Sequence, residues 1–253
     1  SRAGFPKQFA QLIGEETLFQ SAILRVQGDG FSAPLVVTAE PFRFIVLEQL
    51  DAIGVSPAAV LIEPEAKNTA PAVAAALAWM DRKEAHARIL VTPSDHVITN
   101  AGAFRRAVVK ASQHESIVAF GIKPTRPETG YGWLELSANA TEEAPYPLKR
   151  FVEKPEARAA RQMLESGDYL WNAGIFLGPS QVFLDAFALH NLVAQSCIGL
   201  LQPGRPFRDP PFEFAVCLVE CALGLATLLQ LPFEVTGPLP DLGLEDPVPC
   251  QDH

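Results

Sequence analysis

Strand-like and helix-like patterns alternate regularly over the first 120 residues of the chain, and this alternation constrains its fold more than any other feature. Short apolar segments typical of buried strands cover residues 34–38, 59–62, 89–92 and 117–121. Segments with helical spacing or an alanine-rich composition cover residues 17–26, 42–53, 70–84 and 103–114. Alternation of this kind builds parallel strands that are connected by helices. We therefore predict an α/β fold with a mixed, mostly parallel sheet and helices on both faces.

The pattern becomes less regular further along the chain. The predicted elements that follow are two extended segments, a helix, a strand and a helix, over residues 131–136, 148–153, 156–166, 171–177 and 180–188. Beyond about residue 200, prolines interrupt the pattern. Because proline ends helices and strands, we expect residues 201–253 to be a loop-rich or poorly ordered remainder of the same domain as residues 1–200.

One apolar run, residues 214–233, is long enough to be considered as a membrane span. It contains Glu220, and no basic residue flanks its C-terminal end. A charge within the run and the missing basic flank argue against a transmembrane helix. We therefore expect this run to be buried core, and we expect no membrane partner.

Charge and cysteine content exclude further classes of partner. The net charge is −9 and the pI is near 5.1, and no segment is strongly basic, so nucleic acid is not an expected partner. Local lysines, backbone N–H groups and a metal can still bind an anionic nucleotide. The cysteines form no Cys-x-x-Cys pair, and the first residues lack the apolar core of a signal peptide. We expect reduced thiols and a cytoplasmic location.

Asp95 follows the predicted strand over residues 89–92, in the segment Thr-Pro-Ser-Asp-His. Ligands of open α/β sheets bind just beyond the carboxyl ends of such strands. Mg²⁺ prefers oxygen ligands and keeps nucleotide phosphates in the rest of its coordination shell, so Asp95 is a candidate metal ligand. Taken alone, an Asp that caps the following helix is the commoner explanation.

Two segments offer groups for a nucleotide. Lys7, in Phe-Pro-Lys-Gln-Phe, could be a point charge for a phosphate or a solvated surface lysine. Asn68 and Thr69 stand at the start of the predicted helix over residues 70–84. The free N–H groups of a helix start can bind a phosphate or a base, and the two side chains can also simply cap the helix.

Three segments offer groups for a sugar phosphate. Gly130 lies in Arg-Pro-Glu-Thr-Gly-Tyr-Gly-Trp and Asn172 in Trp-Asn-Ala-Gly, where glycines allow close approach of a ligand or form a tight turn. Glu153 and Lys154 stand at a strand end that Pro155 terminates. There, Glu153 can accept hydrogen bonds from hydroxyls, and Lys154 can bind a phosphate.

The order of these motifs resembles that of the mannose-1-phosphate guanylyltransferase family of the nucleotidyltransferases. The motifs are PKQF, EPxxKNTAPA, PSDH, RPETGYG, FVEKP and WNAG. The resemblance runs from Ser1 to about Leu177. Related sugar-1-phosphate nucleotidyltransferases share the fold and the metal-binding Asp, whereas KNTAPA and WNAG are similar to the GDP-mannose branch.

The resemblance implies a Rossmann-like nucleotidyltransferase fold and the transfer of GMP from GTP to mannose 1-phosphate, with release of pyrophosphate and dependence on Mg²⁺. A sugar-phosphate oxygen would attack the α-phosphorus in line, so catalysis would consist of positioning and charge neutralisation. The implied catalytic residues are Lys7 at the nucleotide phosphates, Asp95 at Mg²⁺ and Lys154 at the sugar phosphate. The resemblance further implies a nucleotide-binding pair, Asn68 and Thr69, and mannose-lining residues Gly130, Glu153 and Asn172.

The chain departs from the family pattern near both ends. The family opens with a strand and a GGxGTRLxP loop, and Ser1-Arg2 match the residues that follow that loop. Without that normally central strand, we expect a gap in the sheet and a phosphate site without its backbone cradle. Asp241, in Asp-Leu-Gly, is the best match to the second metal-binding Asp of the family, but no tryptophan flanks it. Asp241 is therefore either a second metal ligand or an exposed loop residue.

Two alternatives to a GDP-mannose-forming enzyme stay open. The first is a non-catalytic sugar-nucleotide-binding subunit or an inactive fragment, which the missing loop favours. The second is a nucleotidyltransferase for another sugar 1-phosphate. The sequence also leaves a homodimer open.

Overall fold

The computed structural model describes residues 5–12, 14–63, 69–81, 87–137, 145–188 and 233–236. The chain divides into two compact units: unit 1 comprises residues 1–66, 92–110 and 240–253, and unit 2 comprises residues 67–91 and 111–239. Within the described ranges, helices alternate with strands, which confirms the predicted α/β class. None of the helices in those ranges has the length and apolarity needed to cross a membrane.

The helices are α1 (Leu18–Arg25), α2 (Arg43–Ala52), α3 (Thr69–Asp81), α4 (Ala101–Ala111), α5 (Ala157–Ser166) and α6 (180–188). Single 3₁₀ turns span Lys7–Phe9 and Glu40–Phe42. The strands are β1 (Leu35–Ala39), β2 (Ala59–Glu63), β3 (Arg88–Val91), β4 (Ile117–Ile122), β5 (Trp133–Leu136), β6 (Tyr146–Val152), β7 (Tyr169–Pro179) and β8 (Phe233–Thr236). Up to residue 188, each predicted helix and strand has a counterpart whose described ends differ from the prediction by at most three residues.

Unit 1 is built on the parallel pair β1–β2 with α1 and α2 packed on it. Its apolar core consists of Phe9, Phe19, Ile23, Val36, Val46 and Leu50. Helix α1 begins at a capping box, in which the Thr17 hydroxyl accepts from the Gln20 N–H at 3.1 Å and Gln20 Oε1 accepts from the Thr17 N–H at 3.0 Å. This arrangement satisfies two N–H groups at the helix start. It fixes where α1 begins relative to the segment that precedes it.

Unit 2 contains a six-stranded sheet in the order β3-β7-β4-β8-β6-β5, and β7 also pairs with β5. Strands β3, β4 and β5 are antiparallel to β7, and β8 is parallel to β4, so these four run in one direction. Strand β6 is antiparallel to β5 and β8 and therefore runs with β7. The predicted parallel character thus holds for most strand directions in this sheet. Most neighbouring pairs are nevertheless antiparallel, because β6 and β7 lie between strands of the opposite direction.

The described strands form two separate hydrogen-bonded sheets. Within the described residues, β1 pairs with β2 alone and β3 pairs with β7 alone. In unit 2, β5 is buried on both faces: Leu134 joins a cluster with Phe151 and Leu170, and Trp133 joins one with Ala160 and Trp171. Helix α5 supplies Ala160 and so covers the face that carries the two tryptophans.

Strand β8 is an element that we did not predict. In the C-terminal remainder, which we expect to be loop-rich or poorly ordered, residues 233–236 pair with β4 and with β6. The alternating pattern of these residues is short and lies between prolines. Four residues carry too little periodicity to be recognised as a strand when their pairing partners are unknown. Asp241 and residues 214–232 of the predicted core run over residues 214–233 lie outside the described residues.

Candidate functional site

The segment before α1 positions Lys7. This residue lies in a single 3₁₀ turn, whose last residue, Phe9, is buried. The Phe9 ring packs edge-on against Phe5 and Phe19, with centroid distances of 6.5 and 5.8 Å. The Phe9 carbonyl accepts a hydrogen bond from Gln49 Nε2 at 3.1 Å. The ring contacts and the backbone hydrogen bond of Phe9 therefore anchor the turn that carries Lys7.

Lys7 and Asp95 meet in unit 1. Lys7 Nζ lies 3.0 Å from Asp95 Oδ2, and each side chain is 32% exposed. The cap of α4 is not Asp95, because Asn100 Oδ1 accepts from the Ala103 N–H at 2.9 Å. The commoner explanation of Asp95, a helix cap, is therefore wrong. Two partly exposed residues that were predicted for phosphate and metal chemistry are therefore in contact.

Arg25 of α1 holds the turn that carries Asp95. Its Nη2 donates to the His96 carbonyl at 2.9 Å, and its side chain is buried. Burial lowers the pKa of Arg25 to about 10. Burial also lowers the pKa of His96, although the negative charge of Asp95 acts in the opposite direction. The sequence indicated Arg25 only as part of the helical spacing of α1, and its role became visible through the contact with His96.

The residues around Asp95 limit how a divalent cation could bind there. Among the described residues, no group of three His, Cys, Asp or Glu side chains could hold a metal ion. Asp95 offers a partly exposed carboxylate whose described ionic partner is Lys7. Mg²⁺ is commonly held by one or two carboxylates together with substrate phosphates, and that mode needs no protein cluster. The donor set therefore fits a metal that binds with a nucleotide.

The turn between β4 and β5 is organised by Glu128. Its Oε1 accepts from the Gly130 N–H at 2.9 Å, and its Oε2 accepts from Arg126 Nε and Nη2 at 3.1 and 3.0 Å. Its backbone carbonyl accepts from Trp133 Nε1 at 2.9 Å. The hydrogen bond from Gly130, and then those from Arg126, hold the pKa of Glu128 below its ordinary value despite partial burial. The carboxylate is therefore ionised at neutral pH.

Gly132 brings β5 close to the end of β6. A Cβ atom at Gly132 would lie 2.5 Å from Cζ of Phe151 and 3.0 Å from Oε2 of Glu153. Glu153 Oε1 lies 3.3 Å from Lys154 Nζ, and both side chains are exposed. Lys154 has φ 41°, a left-handed conformation that is uncommon outside glycine and concentrates at functional sites. The predicted acid and base of this strand end are thus adjacent and face solvent.

A bulge in β7 presents Asn172. Ala119 pairs with Phe176 and Gly121 with Asn172, so β7 has extra residues opposite β4. Gly174, with φ 66°, lies in this bulge, and its N–H donates to Asn172 Oδ1 at 3.1 Å. Bulges re-aim side chains and are common beside active sites. The extra residues place Asn172 opposite Gly121 of β4.

Asn172 is also tied to the glycine-containing turn. Its N–H donates to the Gly132 carbonyl at 2.8 Å. The preceding residue, Trp171, packs edge-on against Tyr131 with centroids 5.4 Å apart. Arg126 Cζ lies 5.2 Å from the centroid of the Trp171 ring. The start of β5 and the bulge of β7 therefore form one connected cluster in unit 2.

The structure thus groups most of the predicted residues in two places. Unit 1 holds Lys7 with Asp95, and unit 2 holds the predicted sugar-side residues Gly130, Glu153, Lys154 and Asn172. Thr69 is exposed at the start of α3, and Asn68 lies outside the described residues. The sequence analysis did not single out Arg126, Glu128, Gly132 or Trp171, although all four belong to the RPETGYG and WNAG motifs.

The described residues form an α/β fold that carries two clusters of charged and polar side chains. The nucleotidyl transferase family model matches residues 1–197, and the chain belongs to this family. The resemblance that the six motifs indicated is thereby confirmed.

Individual relatives agree with the family. The chain is 41% identical over 216 residues to the xanthan biosynthesis protein XanB of Xanthomonas campestris pv. campestris (strain B100), a match that covers 84% of this chain and 45% of that protein. It is 38% identical over 246 residues to a mannose-1-phosphate guanylyltransferase of Escherichia coli, covering 95% and 49%. The crystal structure of mannose-1-phosphate geranyltransferase from Thermus thermophilus matches with a TM-score of 0.69 and 25% identity, covering 94% and 69%. The chain spans about half the length of the curated relatives that it matches.

Proposed function

We propose that the chain carries the nucleotidyl-transfer activity of a mannose-1-phosphate guanylyltransferase, which forms GDP-mannose and pyrophosphate from GTP and mannose 1-phosphate. The observation that carries this proposal is the contact of Lys7 Nζ with Asp95 Oδ2, at 3.0 Å, on the turn that follows β3. Family membership supports nucleotidyl transfer, and the names of the relatives support the sugar. We propose these two substrates for the chain from the relatives, of which it matches only part.

The phosphate chemistry is assigned to unit 1. A phosphate oxygen of mannose 1-phosphate forms a bond to the α-phosphorus of GTP, and the bond from that phosphorus to the bridging oxygen of pyrophosphate breaks. Lys7 donates to a phosphate oxygen and neutralises negative charge as it develops. Asp95 would hold a divalent cation, which we propose to be Mg²⁺ and which would supply charge neutralisation when bound with the nucleotide. Asp241 is proposed as the second carboxylate for this cation.

The recognition of the two substrates is assigned to unit 2. Glu153 accepts hydrogen bonds from sugar hydroxyls, and Lys154 pairs with the sugar phosphate. Gly130 offers backbone to the sugar, and Asn172 offers a side-chain amide on the bulge of β7. Thr69 at the start of α3, and Asn68, which precedes it in the sequence, are proposed to bind the guanine nucleotide.

The direct test is pyrophosphate release by this chain with GTP, mannose 1-phosphate and Mg²⁺, beside a calorimetric measurement of GDP-mannose binding. We expect release that stops when EDTA removes the metal. Replacing mannose 1-phosphate by glucose 1-phosphate, and GTP by UTP, tests the sugar and the base. Faster release with another pair would overturn the mannose or guanine assignment. Binding of GDP-mannose without release would overturn the enzymatic proposal in favour of a binding subunit.

A further inference from the structure

Glu128 connects three parts of one turn through three oxygen atoms. One carboxylate oxygen accepts from the Gly130 N–H, and the other accepts from Arg126. The backbone oxygen accepts from the indole N–H of Trp133, which begins β5 and is fully buried. The Glu128 side chain is 25% exposed, and that of Arg126 is 41% exposed. Glu128 therefore connects the turn that contains Gly130 to the buried start of β5.

Arg126 extends this connection to β7. Its guanidinium is held by Glu128 and lies over the ring of Trp171, 5.2 Å from the centroid. Trp171 is 2% exposed, so its ring is a fixed platform. The next residue along β7 is Asn172. One carboxylate thus holds both the Gly130 N–H and Arg126, and Arg126 lies against the residue that precedes Asn172.

The contribution of such a pair to stability is small. Partly exposed Arg–Glu pairs contribute little to stability, because solvent screens them. The pair matters more for the geometry of the site than for stability, because a displacement of about 1 Å at a binding group can cost about 10²-fold in activity. A residue that orders a turn but contributes little to stability is suited to a positioning role.

We propose that Glu128 is a positioning residue for the sugar 1-phosphate, a role that rests on the proposed function. It holds the Gly130 N–H and the Arg126 guanidinium so that the turn and the bulge of β7 keep the shape that the sugar phosphate requires. Glu128 itself is directed at its protein partners. Its loss therefore weakens binding of the sugar phosphate and leaves binding of the nucleotide unaffected.

The test compares Glu128→Gln, Glu128→Ala and a control, Glu115→Gln, in the full chain. Glu115 also pairs with an arginine, Arg88, in unit 2, but its side chain is 82% exposed. Glutamine keeps the shape of Glu128 and one acceptor, and it turns a donor toward either Gly130 or Arg126. We measure KM for mannose 1-phosphate and for GTP separately, calorimetric binding of mannose 1-phosphate, and the urea midpoint of unfolding.

For Glu128→Gln, we expect about a tenfold rise in KM for mannose 1-phosphate, with the GTP KM and the urea midpoint unchanged. Glu128→Ala should show a larger rise, and Glu115→Gln should match the unsubstituted chain. A parallel rise in both KM values with a lower midpoint would overturn the positioning role in favour of a structural one. Glu128→Gln kinetics equal to those of Glu115→Gln would overturn it as well. If the unsubstituted chain neither turns over nor binds mannose 1-phosphate, the proposed function fails, and this role fails with it.

Discussion

The ammonium nitrogen of Lys7 lies 3.0 Å from Oδ2 of Asp95, although the two residues lie far apart in the sequence. Both side chains are 32% exposed. An ion pair at that exposure adds about 0–1 kcal/mol to stability, so stability alone does not account for the two anchored segments that bring it together. In the proposed function, Lys7 and Asp95 act on a phosphorylated ligand.

Asp95→Asn should reduce Mg²⁺-dependent pyrophosphate release by about 10²-fold or more, because it removes the negative charge that a metal requires. Steady-state pyrophosphate release at several Mg²⁺ concentrations measures the effect. Asp51→Asn is a matched control, since Asp51 is an exposed acid of α2 in the same unit. Turnover by Asp95→Asn equal to that of the control would exclude a metal role for Asp95.

Gly132→Ala should destabilise the chain by about 1–3 kcal/mol, because the added methyl overlaps a closely packed neighbour. The new Cβ would lie 2.5 Å from Cζ of Phe151 and 3.0 Å from Oε2 of Glu153. Displacement of Glu153 should also raise the KM for mannose 1-phosphate. Urea unfolding and substrate kinetics measure the two effects.

A second substitution separates packing from chemistry at Gly132. Phe151→Leu shortens the overlapping side chain, so in the Gly132→Ala background it should recover part of the lost stability. Gly102→Ala is a control on α4, where the nearest atoms to a new Cβ lie at 3.6 Å. A Gly132→Ala chain as stable as the unsubstituted one would contradict the close approach of β5 to Phe151.

Glu135→Gln should destabilise the chain by roughly 1–3 kcal/mol at neutral pH, because it replaces a nearly buried carboxylate by a neutral amide and so removes the negative charge to which two cations donate. Lys149 Nζ and Arg150 Nε donate to Glu135 at 2.6 and 2.9 Å. Burial raises the pKa of Glu135, but hydrogen bonds from Lys149 and Tyr169 and the charges of Arg150 and Lys149 outweigh it, so the pKa is below its ordinary value of 4.5.

The lowered pKa sets the pH dependence of this effect. A carboxylate whose pKa is lower in the folded chain contributes stability above its unfolded pKa, and the contribution is lost as the pH falls through the folded pKa. The difference in unfolding free energy between the unsubstituted chain and Glu135→Gln should therefore shrink from pH 7 toward about pH 3. Urea unfolding at both pH values measures it. A difference that grows toward acid pH would contradict the ion-paired state of Glu135.

Thr17→Ala should destabilise unit 1 by about 1–2 kcal/mol, because α1 loses its N-cap. The Thr17 hydroxyl accepts from the Gln20 N–H and donates to Gln49 Oε1 at 2.7 Å. Thr17→Ser keeps the hydroxyl and should lose little. Thermal unfolding of both variants measures the difference, and an equal loss in the two would place the effect in the methyl group instead of the cap.

The sequence by itself determined the α/β class, the helices and strands up to residue 188, and the family, because burial periodicity and motif order are local properties. Helix α1, for example, follows from its helical spacing alone. Only the tertiary structure showed that Asp95 meets Lys7 and that Asn100, not Asp95, caps α4. It also decided the insertion of β6 and β7 between strands of opposite direction, and the pairing of β8 with β4. These features depend on which distant segments form hydrogen bonds with one another, and such pairings leave no periodic signal within the segments that make them.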